Sequence, residues 1–308
     1  MVRVKIQKKR TKAKIRSGNS IKKTNKKKTK KDIKQCSPHN KQKSFSCFDK
    51  KSILRMIRSW NKHYRKNKIK YDKNASQTAL WNKLDQKMKD KCDSEYCWTS
   101  NVGLQGDEKS KLDDLFRPRM PEKWKSNPNE WLNTYDIQRV LRQYEKSRPN
   151  FLFIGAVPID FDYQPSPGNC IVNELCGINV ENLLKRGKVY LGVVFNLDKH
   201  YESGSHWVAM FAQLNKGKIY YFDSYGYEPS KEVVVLMKRL KEQCEKLGMK
   251  SEIKINKTRH QRKGSECGVY SINFICRMLE EQDFEKVTEK VVDDDTMEKN
   301  RHFYFSTL

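Results

Sequence analysis

Apolar residues first recur at helical spacing after Lys51, where Ile53, Leu54, Met56, Ile57 and Trp60 fall on one face, and Ala79, Leu80, Leu84 and Met88 repeat the pattern. These segments predict two amphipathic helices in an N-terminal accessory region. Pro118, Pro121 and Pro128 then predict an extended connection, because proline continues neither a helix nor a strand ladder. Asn133 or Thr134, followed by Asp136, reads as a cap with an acid in the first turn ahead of Ile137, Val140, Leu141 and Tyr144. A helix is therefore expected just after Leu132, with Trp131 at its mouth. Downstream, short aromatic and β-branched runs bounded by Gly, Asn or Asp predict strands over 151–154, 189–195, 206–213, 218–222 and 251–255. Helices are expected over 231–247 and 267–279. The second is apolar nearly all round, with Val269, Tyr270, Ile272, Phe274, Ile275, Met278 and Leu279, so it belongs in the interior against a sheet. The pattern defines an α+β fold, a mixed central sheet packed against a buried helix that carries a cysteine at its N-terminus.

Charge divides the chain further. Of its 308 residues, 64 are Lys or Arg and 37 Asp or Glu, yet residues 1–50 hold 19 of the bases and only 2 of the acids. Residues 1–48 cannot bury enough apolar surface to offset chain entropy and read as a disordered basic tail. Three roles stay open for it: a solubilising segment, a sequence-independent arm for DNA or RNA phosphates, or a nuclear import signal. Residues 49–125 form the expected accessory region and 126–308 the main domain. The longest apolar run, 151–159, contains a Gly and a Pro and falls well short of the about 18 residues a membrane span needs. The first 31 residues hold 15 bases and no apolar stretch of the kind a secretory signal requires, so a protein kept inside a cell is expected.

Nine cysteines, an odd number in a chain without an export signal, argue against a disulfide framework. The pairs Cys92/Cys97 and Cys170/Cys176 lack the neighbouring Cys or His ligands of a zinc site, so no metal or other cofactor is expected and most cysteines read as small buried hydrophobes.

Candidate chemistry centres on Cys267, which opens the buried helix. Unpaired amides at a helix start favour thiolate over thiol and can hydrogen-bond a developing oxyanion, and Gly268 would leave room for a substrate backbone. Packing explains such a cysteine equally well unless a base accompanies it. His206, after Gly204-Ser205 and before the apolar run from Trp207, is the best placed of the six histidines. A turn at Asn215-Lys216-Gly217 would return the chain so that Asp223 lies at the same end of the sheet, although ideal pairing around Lys216-Gly217 sets Asp223 opposite Met210. Gln261, six residues before Cys267, could donate a second hydrogen bond to the oxyanion.

His206-Trp207, Asp223-Ser224, Gln261 and Cys267-Gly268-Val269-Tyr270, in that order and spacing, resemble the signature of the adenain-like and SUMO-protease-like cysteine peptidases. Trp131-Leu132-Asn133 is similar to that family's substrate-channel entry, and the resemblance covers about residues 128–280. It implies a catalytic His206, Asp223, Gln261 and Cys267, with Trp131 and Trp207 covering a channel that admits only glycine-like residues. The segments from Arg117-Pro118 to Pro158-Ile159-Asp160-Phe161 look more like the branch found in large DNA viruses, the maturation proteases of African-swine-fever-like and giant viruses. That likeness implies protein substrates cut after Gly-Gly-like sites in virion maturation, at the virus assembly site in the cytoplasm or in the virion, with the nucleus also open. A monomer is expected. Thr134 and Lys263 stand where SUMO-processing members place an acid and an asparagine, which weighs against a SUMO-like substrate. A deconjugase of ubiquitin-like modifiers, an acetyltransferase and a catalytically dead basic virion protein remain the alternatives.

Overall fold

The computed structural model describes residues 35–40 and 45–306; the basic segment of residues 1–34 and 41–44 lies outside the described residues. The accessory region comprises α1 (Lys50–His63), α2 (Gln77–Met88), α3 (Glu95–Asn101) and α4 (Gly106–Asp113). Asp49 and Ser76 cap α1 and α2 by accepting from the amides of Ser52 and Ala79, which satisfies donors that a helix start leaves open. Ile53, Met56, Ile57 and Trp60 of α1 and Leu80, Leu84 and Met88 of α2 face a shared core, as their spacing predicts. Two short helices follow that periodicity did not reveal, because seven or eight residues contain too few repeats to show a period. The carboxylate of Glu95, buried in this core, ties the first of them in: it accepts from the amide of Cys47 at 3.0 Å and from the Trp81 indole N–H.

Two expectations change here. Residues 35–40 and 45–48 do not belong with a solvated tail: Cys47 and Phe48 are buried in the accessory core, and Arg117 N–H donates to the Gln35 carbonyl at 2.7 Å. Disulfides, argued against from the cysteine count, join Cys36 to Cys47, Cys92 to Cys97 and Cys170 to Cys176, with Cα separations of 5.4, 5.5 and 6.3 Å. Local turns bring these near neighbours within the span a disulfide bridges, and a parity argument over the whole chain does not register local closure. Cys244, Cys267 and Cys276 remain free and buried.

The main domain begins with α5 (Thr134–Ser147), whose Asn133 and Asp136 form a reciprocal capping box. Its sheet is built from β1 (Phe151–Pro158), β2 (Tyr190–Asn196), β3 (Trp207–Gln213), β4 (Lys218–Phe222) and β5 (Glu252–Ile255). The strands lie in that order, with β1 parallel to β2, β2 antiparallel to β3, β3 antiparallel to β4, and β4 parallel to β5. The short helices α6 (Asn173–Cys176) and α7 (Val180–Lys185) lie between β1 and β2, and α8 (Lys231–Lys246) joins β4 to β5. After β5 come α9 (Cys267–Leu279), α10 (Phe284–Thr288) and α11 (Asp294–Tyr304).

Side chains alternate across the pleat. Trp207, Ala209 and Phe211 of β3 pack with α5, α9 and α11, whereas Val208, Met210 and Ala212 pack with α7 and α8. Every residue of β3 is buried, so the strand is covered on both faces. The α+β arrangement, with a mixed sheet and an inner helix opening at Cys267, is the one the sequence predicts, and α7 and α8 add a layer on the sheet's other face. No helix among the described residues is long and apolar enough to cross a membrane.

Because Phe48 lies in the accessory core, Phe48→Ala should destabilise the protein by about 3–5 kcal/mol in urea unfolding, the range for a truncated buried aromatic. A change below 0.5 kcal/mol would return residues 45–48 to the tail.

Candidate active site

The turn between β3 and β4 determines where the polar residues land. Leu214–Lys216 form a 3-10 turn and Gly217 takes a left-handed conformation, φ 63°, so four residues rather than two make the connection. Met210 therefore pairs with Tyr221, not with Asp223 as an ideal two-residue turn would have it. The two-residue shift carries Asp223 toward the start of β3. There Asp223 Oδ1 lies 2.8 Å from His206 Nε2 and also accepts from the Tyr225 amide at 2.8 Å.

With Nε2 turned to the carboxylate, the other ring nitrogen is left for Cys267, whose sulfur acts on the charge of the imidazole. Three forces act on the imidazole's proton. Burial works against the charged ring, but hydrogen bonds to Asp223 and Cys267 and their negative charge outweigh it and raise the pKa to about 9. Asp223 is almost wholly buried and Cys267 is 2 % exposed, so the sulfur sits at the floor of the site.

Gln261 is brought to the same place through Ser224, next to Asp223. The backbone amides of His260 and Gln261 both donate to the Ser224 carbonyl at 2.8 Å. Ser224 Oγ donates to Gln261 Oε1 at 2.6 Å, which fixes the orientation of the amide group. One Nε2 hydrogen goes to the Lys263 carbonyl at 2.6 Å, and the second is left over. Asn256 Nδ2 braces this corner by donating to the Asp223 carbonyl at 2.7 Å.

The two tryptophans occupy different environments. Trp207 is 5 % exposed and its indole N–H donates to the Leu132 carbonyl at 2.9 Å, whereas Trp131 is 47 % exposed. Gly268 does not face an open channel. A Cβ there would come within 2.9 Å of the Leu132 side chain, so the missing side chain makes room for Leu132 rather than for a substrate backbone.

Periodicity missed the residues that hold the loop of residues 261–266. Asp294, in the first turn of α11, accepts from the amides of Arg262 and Lys263 at 2.9 and 3.0 Å. Glu266, immediately before Cys267, forms a two-pronged ion pair with Arg301: Nε to Oε2 at 2.8 Å and Nη2 to Oε1 at 2.7 Å, both side chains 2 % exposed. Arg301 also donates to the carbonyls of Ser265 and of Glu130, beside Trp131, and lies over the Trp124 ring. One guanidinium thus joins the residue before the sulfur to the residue before the exposed tryptophan. An isolated Glu and Arg 35 residues apart carry no mark of this in the sequence beyond their unlike charge.

A cysteine, an imidazole and a carboxylate thus meet at one end of the sheet, the set of groups that a sulfur nucleophile needs. The profile of the Ulp1 protease family, C-terminal catalytic domain, matches residues 188–305. A thiol protease of Acanthamoeba polyphaga mimivirus is 33 % identical over 285 residues, covering 88 % of this chain and 92 % of the relative. A cysteine protease of African swine fever virus is 25 % identical over 241 residues, covering 74 % and 88 %. The crystal structure of an African swine fever virus protease shares the fold, with a TM-score of 0.65 at 23 % identity over 89 % of this chain and 96 % of that one. The chain belongs to the Ulp1 protease family.

Two measurements test the geometry. Arg301→Leu leaves the Glu266 carboxylate buried without its cation, with only the Ser265 hydroxyl still donating to it, and urea unfolding should show a loss of about 3–5 kcal/mol. A pKa of about 9 in the folded state lies above the ordinary 6.5, so the His206 contribution to stability is complete below pH 6.5 and is lost as pH rises through 9. The stability difference between the parent and His206→Gln should accordingly shrink by ~3 kcal/mol between pH 6 and pH 10. A difference that stays flat would contradict the raised value.

Proposed function

We propose that this cysteine protease is an endopeptidase that cuts after Gly-Gly-like small-residue sites in viral structural proteins or polyproteins, as part of virion maturation at the assembly site. The bonded pair Asp223–His206, with Cys267 acting on the same imidazole, is the observation that carries the catalytic part of this reading. The substrate class follows from the resemblance to large-virus maturation proteases and from the viral relatives.

In the proposed reaction His206 takes the Cys267 proton, and Asp223 fixes the tautomer and stabilises the imidazolium. The Cys267 sulfur attacks the scissile carbonyl carbon. The resulting oxyanion accepts from the Cys267 amide and from the remaining N–H of Gln261. Collapse breaks the C–N bond, His206 gives its proton to the leaving amine, and a thioester remains. Water, deprotonated by His206, then attacks the thioester, and the acyl product leaves as the sulfur is released. Trp131 and Trp207 wall the channel in this reading, Trp131 as the exposed surface and Trp207 as the strut that holds Leu132 beside it.

Cys267→Ala should abolish peptide cleavage with the fold intact by circular dichroism; retained turnover would remove the assignment. Gln261→Ala should lower kcat by about a hundredfold to a thousandfold, as loss of one oxyanion donor does elsewhere. A cleavage profile on a peptide library should be dominated by Gly at the two positions before the cut. Preference for C-terminal probes of ubiquitin-like modifiers over Gly-Gly-X peptides would instead make the protein a deconjugase.

A further inference from the structure

In the accessory region, with no residue of the candidate site in its lining, α1 lines a cleft of about 680 Å³ with Lys51, Arg55, Arg58, Lys62 and, past its end, Arg65. The first four occur at i, i+4, i+7 and i+11, a spacing that sets them in one row along the helix. None has a carboxylate within ion-pair distance among the described residues, although other surface lysines and arginines of this protein do. Like charges three and four residues apart repel, and among the described residues Glu108 is the one lining carboxylate set against five cations.

The row is also held in place. The opposite face of α1 is anchored by Ile53, Met56, Ile57 and Trp60 in the accessory core, so the cations stand on a rigid support. From Lys51 to Lys62 it is roughly 16 Å long, at 1.5 Å of rise per residue. A compact anion would need the cations to converge, and these extend in a line. A nucleic-acid strand carries about one phosphate per 3.4 Å of its axis, so roughly five phosphates fit alongside. Apart from His63 the lining has no ring on which a base could stack, and Leu104 is its main apolar contributor, so the contact would be to the backbone and blind to sequence.

We propose that this cleft is a binding site for the phosphate backbone of a nucleic-acid strand, separate from the proteolytic site and from the basic segment at the N-terminus. Anisotropy of a fluorescent 20-nucleotide oligothymidylate, titrated with the full chain over a sodium chloride series, reads affinity and the number of phosphates neutralised. Replacing Arg55, Arg58 and Lys62 together by Gln should weaken binding about a hundredfold at 0.1 M salt. It should also flatten the log–log salt slope by about 2, since each single-strand phosphate contributes about 0.7. Replacing Lys26, Lys27 and Lys28 by Gln removes the same charge elsewhere and should cost under tenfold.

An unchanged slope in the cleft variant, or equal losses in the two variants, overturns the proposal. So does competition by polyglutamate as strong as by unlabelled oligonucleotide at equal charge, which would make the cleft an acidic-peptide site. Retained peptide cleavage certifies the fold of the triple variant. If it fails that check, Lys51→Gln with Lys62→Gln, both at exposed positions, carries the same test with a slope change of about 1.4.

Discussion

When Met210 pairs with Tyr221 across the β3–β4 hairpin, Asp223 and Ser224 are delivered together to the end of the sheet where β3 begins, and each takes up a different partner. Asp223 reaches His206, and Ser224 reaches Gln261. Slipping this pairing by one residue would turn both side chains to the other face of the sheet, and slipping it by two would carry the carboxylate about 7 Å along the strand. The left-handed Gly217 and the turn before it therefore bear directly on the imidazole, although they lie at the far end of the hairpin. A register of this kind is strongly specified, because β3 is buried on both faces and any slip would push polar side chains into one of two cores.

The sulfur side of the site is held differently. α9 is packed in the interior, and its first residue follows a loop with no strand or helix of its own to steady it. α11 supplies that support through two opposite charges: Asp294 binds the amides at the front of the loop, and Arg301 grips Glu266 at its end. Burying an ion pair is seldom a net gain in stability over apolar packing. Here the guanidinium also joins the Ser265 and Glu130 carbonyls, so its contribution is geometric: it ties the loop before the sulfur to the segment leading into Trp131.

Proteolysis and the basic cleft occupy different parts of the molecule with different physics. The candidate centre is a group of mostly buried polar residues between a sheet and an inner helix, where burial strengthens each hydrogen bond. The accessory region has its own core, and its charged surface is open to water, where interactions are long-ranged and salt-dependent. The lining of the cleft and the candidate catalytic residues have no side chain in common, so the two proposed roles do not compete for the same groups.

All five strands and the helices α1, α2, α5, α8 and α9, though not α11, were legible in the amino-acid order, because their buried positions repeat at 2 or 3.6 residues and their ends carry turn or capping residues. His206, Asp223 and Cys267 were legible as candidates for a related reason, each standing at the boundary of such an element, and Gln261 by its place in the loop six residues before Cys267. Their meeting was not, since an idealised turn misplaces Asp223 by two residues and only the packed hairpin sets the register. The disulfides, the short helices and the hold of α11 on the loop also escaped the sequence, as they rest on closures and side-chain contacts that leave no period. Local patterning determined which residues border the site. Tertiary packing decided the distances between them, because a hydrogen bond tolerates only a few tenths of an ångström and no rule of spacing along a chain is that exact.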